Sequence, residues 1–280
     1  MGKVGIVTDS TADLTPDKLD KYDIHMVPLQ VDIQGEEYWD WKEIGPDKFL
    51  TKLEACQEIP STSQPPIGNF VNLYQELADD YSGIISLHFS SEMSGTLETA
   101  KLAADMVEET EIEVIDSRLV TGPLGLMVEE VAQAAQAGST MEELKELINQ
   151  LRNRIDIYFT MDDLNYLERG GRIGKATAFL GNLFTVRPML TLEAGEITPC
   201  KKVRGEKRLY KEFSRLVGQS LTGEEGERLI VLYGKYRDKA EKLKETLLAE
   251  YDWETVEMWQ FGAIVGSHIG PTPFGAVFLD

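Results

Sequence analysis

Two mostly apolar runs, KVGIVTDS (3–10) and GIISLHFS (83–90), together with a further strand-like stretch, IEVIDSRLVT (112–121), constrain the fold more than any other feature of the chain. Each ends in polar, hydroxyl-bearing residues and leads into helical sequence. A run that is apolar on both faces suits a strand covered on both sides, as in parallel sheets. Strand and helix in alternation then imply a parallel sheet with helices packed on its faces.

The remaining elements follow from local signals. Pro16 suits a first helical turn, with Asp13 or Thr15 as the cap. IHMVPLQVDIQGEEYW (24–39) reads as one strand with a turn at Gln34-Gly35. Helices are expected over 45–56 and 67–81, from Gly95 onward, and from near Thr121 to Ala137-Gly138. IPSTSQPPIG (59–68) is a turn-forming break. Thr140 and Glu143 form a capping box for a further helix. After Arg154 the character changes. Strands are expected at 156–162 and 228–235, a short glycine-stopped helix at 163–171, and an apolar helix at 176–184. A hairpin turns at Ala194-Gly195, helices cover 206–221 and 236–251, and the end from Thr255 is strand-rich. The fold class is α/β with two domains: residues 1–154 around a parallel sheet, and residues 155–280 around a mixed sheet.

Composition narrows the function. The 280 residues are 42% hydrophobic and 27% charged, as in globular proteins with a substantial core. The net charge of -20 repels nucleic acid and anionic membrane surfaces. No apolar run reaches the length of about 18 residues that a membrane span needs. The opening MGKVGI enters a strand directly and lacks the Ser/Thr of a myristoylation signal, so a cytoplasmic location is expected. Cys56 and Cys200 stand far apart without metal-type neighbours and are expected as reduced thiols.

Five places carry candidate chemistry. Asp9 and Ser10 sit at a strand's carboxyl end, where α/β sheets bind ligands. They could hold a metal, but no convergent carboxylates or histidines accompany them, so ordering the next loop is the preferred reading. STSQPP (61–66) presents hydroxyls and a glutamine on a stiff turn, either as a helix-capping turn or as a hydrogen-bonding wall for a polar head group. Ser94-Gly95-Thr96 opens a helix. It can be an anion cradle, a plain cap or a nucleophile's seat, and the first is preferred because Ser91 and Ser94 do not fit G-x-S-x-G. His268 lies in GSHIGPTP, read as a Gly/Pro-framed bend after a strand AIVG, exposed enough to donate to an anion. The basic clusters GGRIGK and CKKVRGEKRLYK stand out against the acidic background, and three cations of the region, Arg172, Arg187 and Arg204, sit beside glycine or proline, either as solvated loop charge or as functional groups. The apolar stretch ATAFLGNLF is either core or the wall of a lipid tunnel.

TDSTADL, TSQPP, SSEMSGTLETA, IDS, YLERGGRI, the RPML segment and SHIGP, in that order along nearly the whole chain, resemble the DegV family of bacterial proteins. The resemblance implies two α/β domains with a long-chain fatty acid between them. It also implies a role as the fatty acid-binding subunit of a bacterial fatty acid kinase. A separate kinase catalytic subunit would phosphorylate the bound carboxylate to an acyl phosphate. It implies that Thr62, Ser94, the Gly95 N–H and His268 hold the carboxylate, and that Arg172 and Arg204 face the partner or the transferring phosphoryl group. No catalytic residue, cofactor or metal is expected in this chain. Two rival readings are a serine-dependent hydrolase or acyltransferase using Ser94 and His268, and a lipid-responsive regulator. Thr272 stands where the family's bend commonly has glycine, which puts the backbone path there in question.

Overall fold

The computed structural model of the chain describes residues 2–180 and 186–280. The first half runs β1 (Val4–Asp9), α1 (Pro16–Tyr22), β2 (Ile24–Val27), β3 (Gln30–Ile33), β4 (Glu36–Trp39), α2 (Pro46–Ala55), β5 (Ser61–Ser63), α3 (Ile67–Ala78), β6 (Gly83–His88), α4 (Thr96–Ala104), β7 (Glu111–Asp116), α5 (Gly122–Gln136) and α6 (Met141–Arg154). The second runs β8 (Ile155–Thr160), α7 (Asn165–Arg169), β9 (Arg187–Glu193), β10 (Glu196–Val203), α8 (Glu206–Ser220), β11 (Glu225–Tyr233), α9 (Arg237–Leu248), β12 (Asp252–Gln260), α10 (Ala263–Ile269) and β13 (Phe274–Leu279). Single 3-10 turns cover Ser10–Ala12 and Gly174–Phe179.

Among the described residues the strands form three sheets. One is parallel, in the order β2-β1-β6-β7. Its central strands β1 and β6 are buried at every residue, as their mostly apolar sequences require. A small antiparallel sheet has the order β4-β3-β5. The third sheet, β10-β9-β8-β13-β11-β12, is mixed, with only the β11–β12 pair parallel.

Local expectations fail in several places. The run 24–39 is not one strand: Pro28 donates no ladder hydrogen bond, and the chain leaves the parallel sheet there to start the small one. The break at 59–68 contains β5, which pairs with β3. Of the two candidate caps of α1, Thr15 takes the position, without a side-chain bond, while Asp13 turns inward. Of the expected helix 176–184, residues to Phe179 form the 3-10 turn, and 181–184 lie outside the described residues. The capping box is as expected, with Glu143 N donating to Thr140 Oγ1 at 3.3 Å and Thr140 N to Glu143 Oε2 at 2.8 Å. The hairpin turns at Ala194-Gly195, both at positive φ. Cys56 and Cys200 are free thiols. No helix among the described residues is long and apolar enough to cross a membrane.

Helix α5 joins the layers. It touches β1 of the parallel sheet and β8 and β13 of the mixed sheet, and its apolar residues are buried all round. One hydrophobic cluster therefore runs from Ile6 and Leu124 to Ile157 and Val277. Such a helix cannot easily carry a charge, yet Glu129 on α5 is fully buried. It is answered from both sides: Lys18 Nζ of α1 donates to it at 2.6 Å and Arg228 Nη2 of β11 at 2.6 Å. Arg228 also donates to Glu130 and to Glu257 of β12, each at 2.8 Å.

Removing one partner of a buried pair strands the other charge, which costs about 3–5 kcal/mol. Arg228→Ala leaves Lys18 on Glu129, so the expected loss in urea denaturation lies at the low end of that range, about 3 kcal/mol. A loss below about 1 kcal/mol would mean that solvent already screens Glu129.

Candidate functional site

The parallel sheet ends its central strands with polar residues that must be satisfied in a dry place. Asp9 Oδ1 accepts from Thr11 N at 3.0 Å and from Thr11 Oγ1 at 2.6 Å. Its Oδ2 accepts from Phe89 N at 3.2 Å and lies 2.9 Å from His88 Nδ1. His88 Nε2 in turn meets Ser86 Oγ at 2.7 Å, and Ser86 meets the Tyr74 hydroxyl at 2.7 Å. This Asp-His-Ser chain has catalytic-looking composition, but all three residues are completely buried. It orders the loops after β1 and β6. Ser10 Oγ does the same for Leu29, accepting from its N–H at 3.1 Å.

Those loops border a cavity of about 220 Å³. Thr62, Ser94, Gly95, Arg172 and His268 all line it. Thr62 comes from β5, where it is paired opposite Val31. Its Oγ1 is 2.8 Å from His268 Nε2. Ser94 Oγ accepts from Thr96 N at 3.2 Å and lies 3.0 Å from Thr96 Oγ1, so it fastens the first turn of α4. Gln64 ties β5 to that turn. Its Nε2 donates to Thr99 Oγ1 at 3.0 Å, and Thr99 Oγ1 donates to Gly95 O at 3.2 Å. A Cβ on Gly95 would stand 2.5 Å from Gln64 Oε1, so only glycine fits this contact unmoved. Arg172 bridges the two halves of the chain: Nε donates to Met93 O at 3.1 Å, and Nη1 to Gly170 O at 2.6 Å.

His268 is not on a bend after a strand. AIVGSHI is α10, and His268 lies in its last turn, half-buried. The reason is remote. Asp13 Oδ1 accepts from Gly262 N at 2.7 Å, and Asp40 Oδ1 from Ala263 N at 2.8 Å. These carboxyls satisfy the helix start, and Gly270 at φ +75° ends it. Burial, then the nearby Arg172 guanidinium, push the His268 imidazole down to about 4. It is neutral at neutral pH. Its Nδ1 is buried without a hydrogen-bond partner among the described residues. Thr272 has a task of its own: its Oγ1 accepts from Asp162 N at 3.1 Å, tying the bend to the loop after β8.

A smaller, almost wholly apolar cavity of about 50 Å³ adjoins the first and shares Val120, Ile197, Val265 and Ile269 with it. It continues between Phe159, Leu232, Phe261 and Phe274. The two cavities adjoin across the four shared residues, the larger one polar at the β5–α4 end and the smaller one apolar toward the mixed sheet. Arg204 stands apart from it, exposed with Lys207, Arg208 and Lys211 around the start of α8. Arg187 forms an ion pair with Asp162. Ser91 donates to Asp116 Oδ2 at 2.6 Å and does not line the cavity. A nucleophilic serine needs a base on its hydroxyl. Ser94 is bonded to Thr96, and His268 to Thr62. Gln64, Asp13 and Asp40 carry structural parts of this site that spacing alone does not reveal.

The sequence profile of the DegV family, described as uncharacterised proteins, matches residues 3–280. Protein DegV of Bacillus subtilis is 33% identical over 273 residues, 97% of either chain. The crystal structure of DegV from Bacillus subtilis, described as a fatty acid binding protein, superposes with a TM-score of 0.90 at 32% identity, covering 100% of this chain and 99% of that one. A DegV family protein from Thermus thermophilus, described by its fatty acid binding, gives 0.93 at 31% identity, covering 99% and 100%.

A histidine held below its unfolded value stabilises the fold above that value of about 6.5 and loses this contribution as pH falls toward 4. Between those limits wild type is expected to lose up to about 3 kcal/mol more than His268→Gln, read as melting temperature against pH. Parallel acid limbs in the two proteins would mean that His268 protonates without penalty.

Proposed function

The chain belongs to the DegV family, and from that premise we propose that it binds one long-chain fatty acid and presents the carboxylate to a separate kinase subunit. The observation that carries the binding reading is the pair of adjoining cavities, one with a polar end and the other apolar. A fatty acid has that polarity and shape. Its carboxylate belongs between the Thr62–His268 pair and the first turn of α4 with Ser94 and Gly95. Its chain runs past Val265 and Ile269 toward Phe261 and Phe274.

The energetics favour this division. Each buried methylene contributes about 0.8 kcal/mol, so roughly 14 of them give on the order of 11 kcal/mol before association costs. The head group then needs only to be satisfied, since an unpaired buried charge would cancel much of that gain. Neutral His268 suits the task. With Nε2 protonated it donates to Thr62 Oγ1, which leaves the Thr62 hydroxyl proton for a carboxylate oxygen. The helix start adds N–H groups and the positive end of its dipole.

Presentation to a kinase rests on the family resemblance together with two features of the surface. Arg172 is exposed and borders the cavity, and its planar fork suits phosphoryl oxygens. The basic cluster around Arg204 stands out against a net charge of -20 and suits docking of an acidic partner face. In this reading the nucleoside triphosphate comes with the partner, a carboxylate oxygen attacks its terminal phosphorus as the bond to the bridging oxygen breaks, the nucleoside diphosphate leaves on the partner, and this chain contributes orientation only.

Ser94→Ala removes a hydrogen bond to a charged group, about 1.5–3 kcal/mol, or roughly 10- to 100-fold in affinity. Titration with palmitate or oleate reads this directly; unchanged affinity would remove Ser94 from the head-group site. Arg172→Ala and Arg204→Ala are expected to keep the lipid but to support less acyl phosphate formation with a fatty acid kinase subunit. Full activity in both would exclude them from the transfer, and loss of lipid by either would move that arginine into the head-group site.

A further inference from the structure

Asp13 and Asp40 are 2% and 0% exposed, and they meet at the start of α10. A Cβ at Gly262 would stand 3.0 Å from Asp13 Oδ1 and 2.9 Å from Asp40 Oδ1, so both carboxyls crowd one point. Their partners differ. Asp13 Oδ1 accepts from Gly262 N at 2.7 Å and from Trp41 Nε1 at 3.1 Å, and its Oδ2 accepts from the Thr121 hydroxyl at 2.6 Å. Asp40 Oδ1 accepts from Ala263 N, and the Ser10 hydroxyl and Ile264 N also approach this carboxyl, while its Oδ2 is buried with no hydrogen-bond partner among the described residues. Three donors aimed at Asp13 fit a carboxylate. An orphaned oxygen on Asp40 fits a neutral acid, since a buried ion with an unpaired oxygen is far costlier than a buried acid.

We propose that Asp13 and Asp40 keep a shared proton at neutral pH and act as positioning residues for α10, so that losing this proton loosens the helix whose far end carries His268. Two carboxylates around one point repel. The groups they would push apart are the ones that seat α10 and Thr121, and Thr121 itself borders the apolar cavity. Burial first, then the neighbouring charge of Asp13, raises Asp40 to about 8; burial raises Asp13 to about 7. The pair titrates as a unit. The elements packed around it carry other charged groups: Glu129 and Glu130 of α5, bound by Lys18 and Arg228, Lys52 and Glu54 of α2, paired with Glu36 and Lys235, Asp32 of β3, and Glu168 and Arg169 of α7. Asp9 is buried and held by His88 and Thr11. Lys42 and Glu43 on the Trp41 turn and Asp47 and Lys48 on α2 are exposed. His268 sits at the opposite end of α10 and is neutral in this range.

The sign follows from linkage. The folded pair binds protons that the unfolded chain releases near pH 4, so its contribution to stability falls as pH rises from there through about 7 to 8. The test has three readouts. Carboxyl-carbon NMR of the wild type should show one Asp proton of the pair leaving above about pH 6. Melting temperature from about pH 6 to 9 should fall more steeply in wild type than in Asp40→Asn, which keeps a neutral side chain at every pH. Oleate affinity should drop at least about threefold more in wild type than in Asp40→Asn over the same range. Both carboxyls titrating below about pH 5, or parallel pH profiles in the two proteins, would overturn the proposal. If Asp40→Asn does not fold, the wild-type carboxyl titration decides alone. If the chain binds no fatty acid at any pH, the proposed function fails, while the first two readouts still decide the proton.

Discussion

The hydrogen bonds from Gly262 N to Asp13 and from Ala263 N to Asp40 fix where α10 begins, and the site is built outward from that seat. A helix of seven residues has little cooperative stability of its own. It exists because carboxyls from two distant loops accept its first N–H groups, and because its apolar residues are buried against the rest of the core. Once seated, it brings His268 to Thr62 on β5 and turns Val265 and Ile269 toward the cavity. One short element therefore serves both cavities, the polar mouth and the apolar passage.

The frame around α10 is stiff for a related reason. Helix α5 must lie between two sheets, and its one fully buried acid, Glu129, is bound by cations from α1 and β11. These contacts set the distance between the parallel and mixed sheets, and the cavity occupies what remains between them. The mouth is closed by crossings of the same kind. Arg172 donates to Met93 O, and Ser90 Oγ donates to Gly195 O at 2.8 Å, so loops from both halves of the chain are fastened across it. A polar pocket assembled from so many remote hydrogen bonds is preorganised.

Much of the fold was legible because its signals are local. The mostly apolar runs of β1 and β6, the capping box at Thr140 and the hairpin at Ala194-Gly195 each depend on neighbours in sequence. Helix α10 was not legible, because Ala-Ile-Val reads as strand and its cap comes from residues about 220 and 250 positions away. The same limit applies to Asp13 and Asp40, which look like ordinary loop acids until the chain folds. Thr62, Ser94, Gly95, Arg172 and His268 converge on one cavity. Their motifs each present a polar group on a turn or chain end, a local property. Arg204 shares the basic character of Arg172 but stands elsewhere, since charge composition carries no address. Gln64 escaped individual notice because its role is a contact with Gly95 and Thr99 across two elements.

Val265 lines both cavities, at the passage between the polar mouth and the apolar end. Native mass spectrometry after incubation with palmitate or oleate, run on wild type and on Val265→Trp, tests whether that passage holds an acyl chain. One fatty acid should be retained per wild-type chain and little or none by the variant, with both proteins folded by circular dichroism. A bare wild-type chain, or equal retention by Val265→Trp, would contradict the fatty acid site between the two sheets.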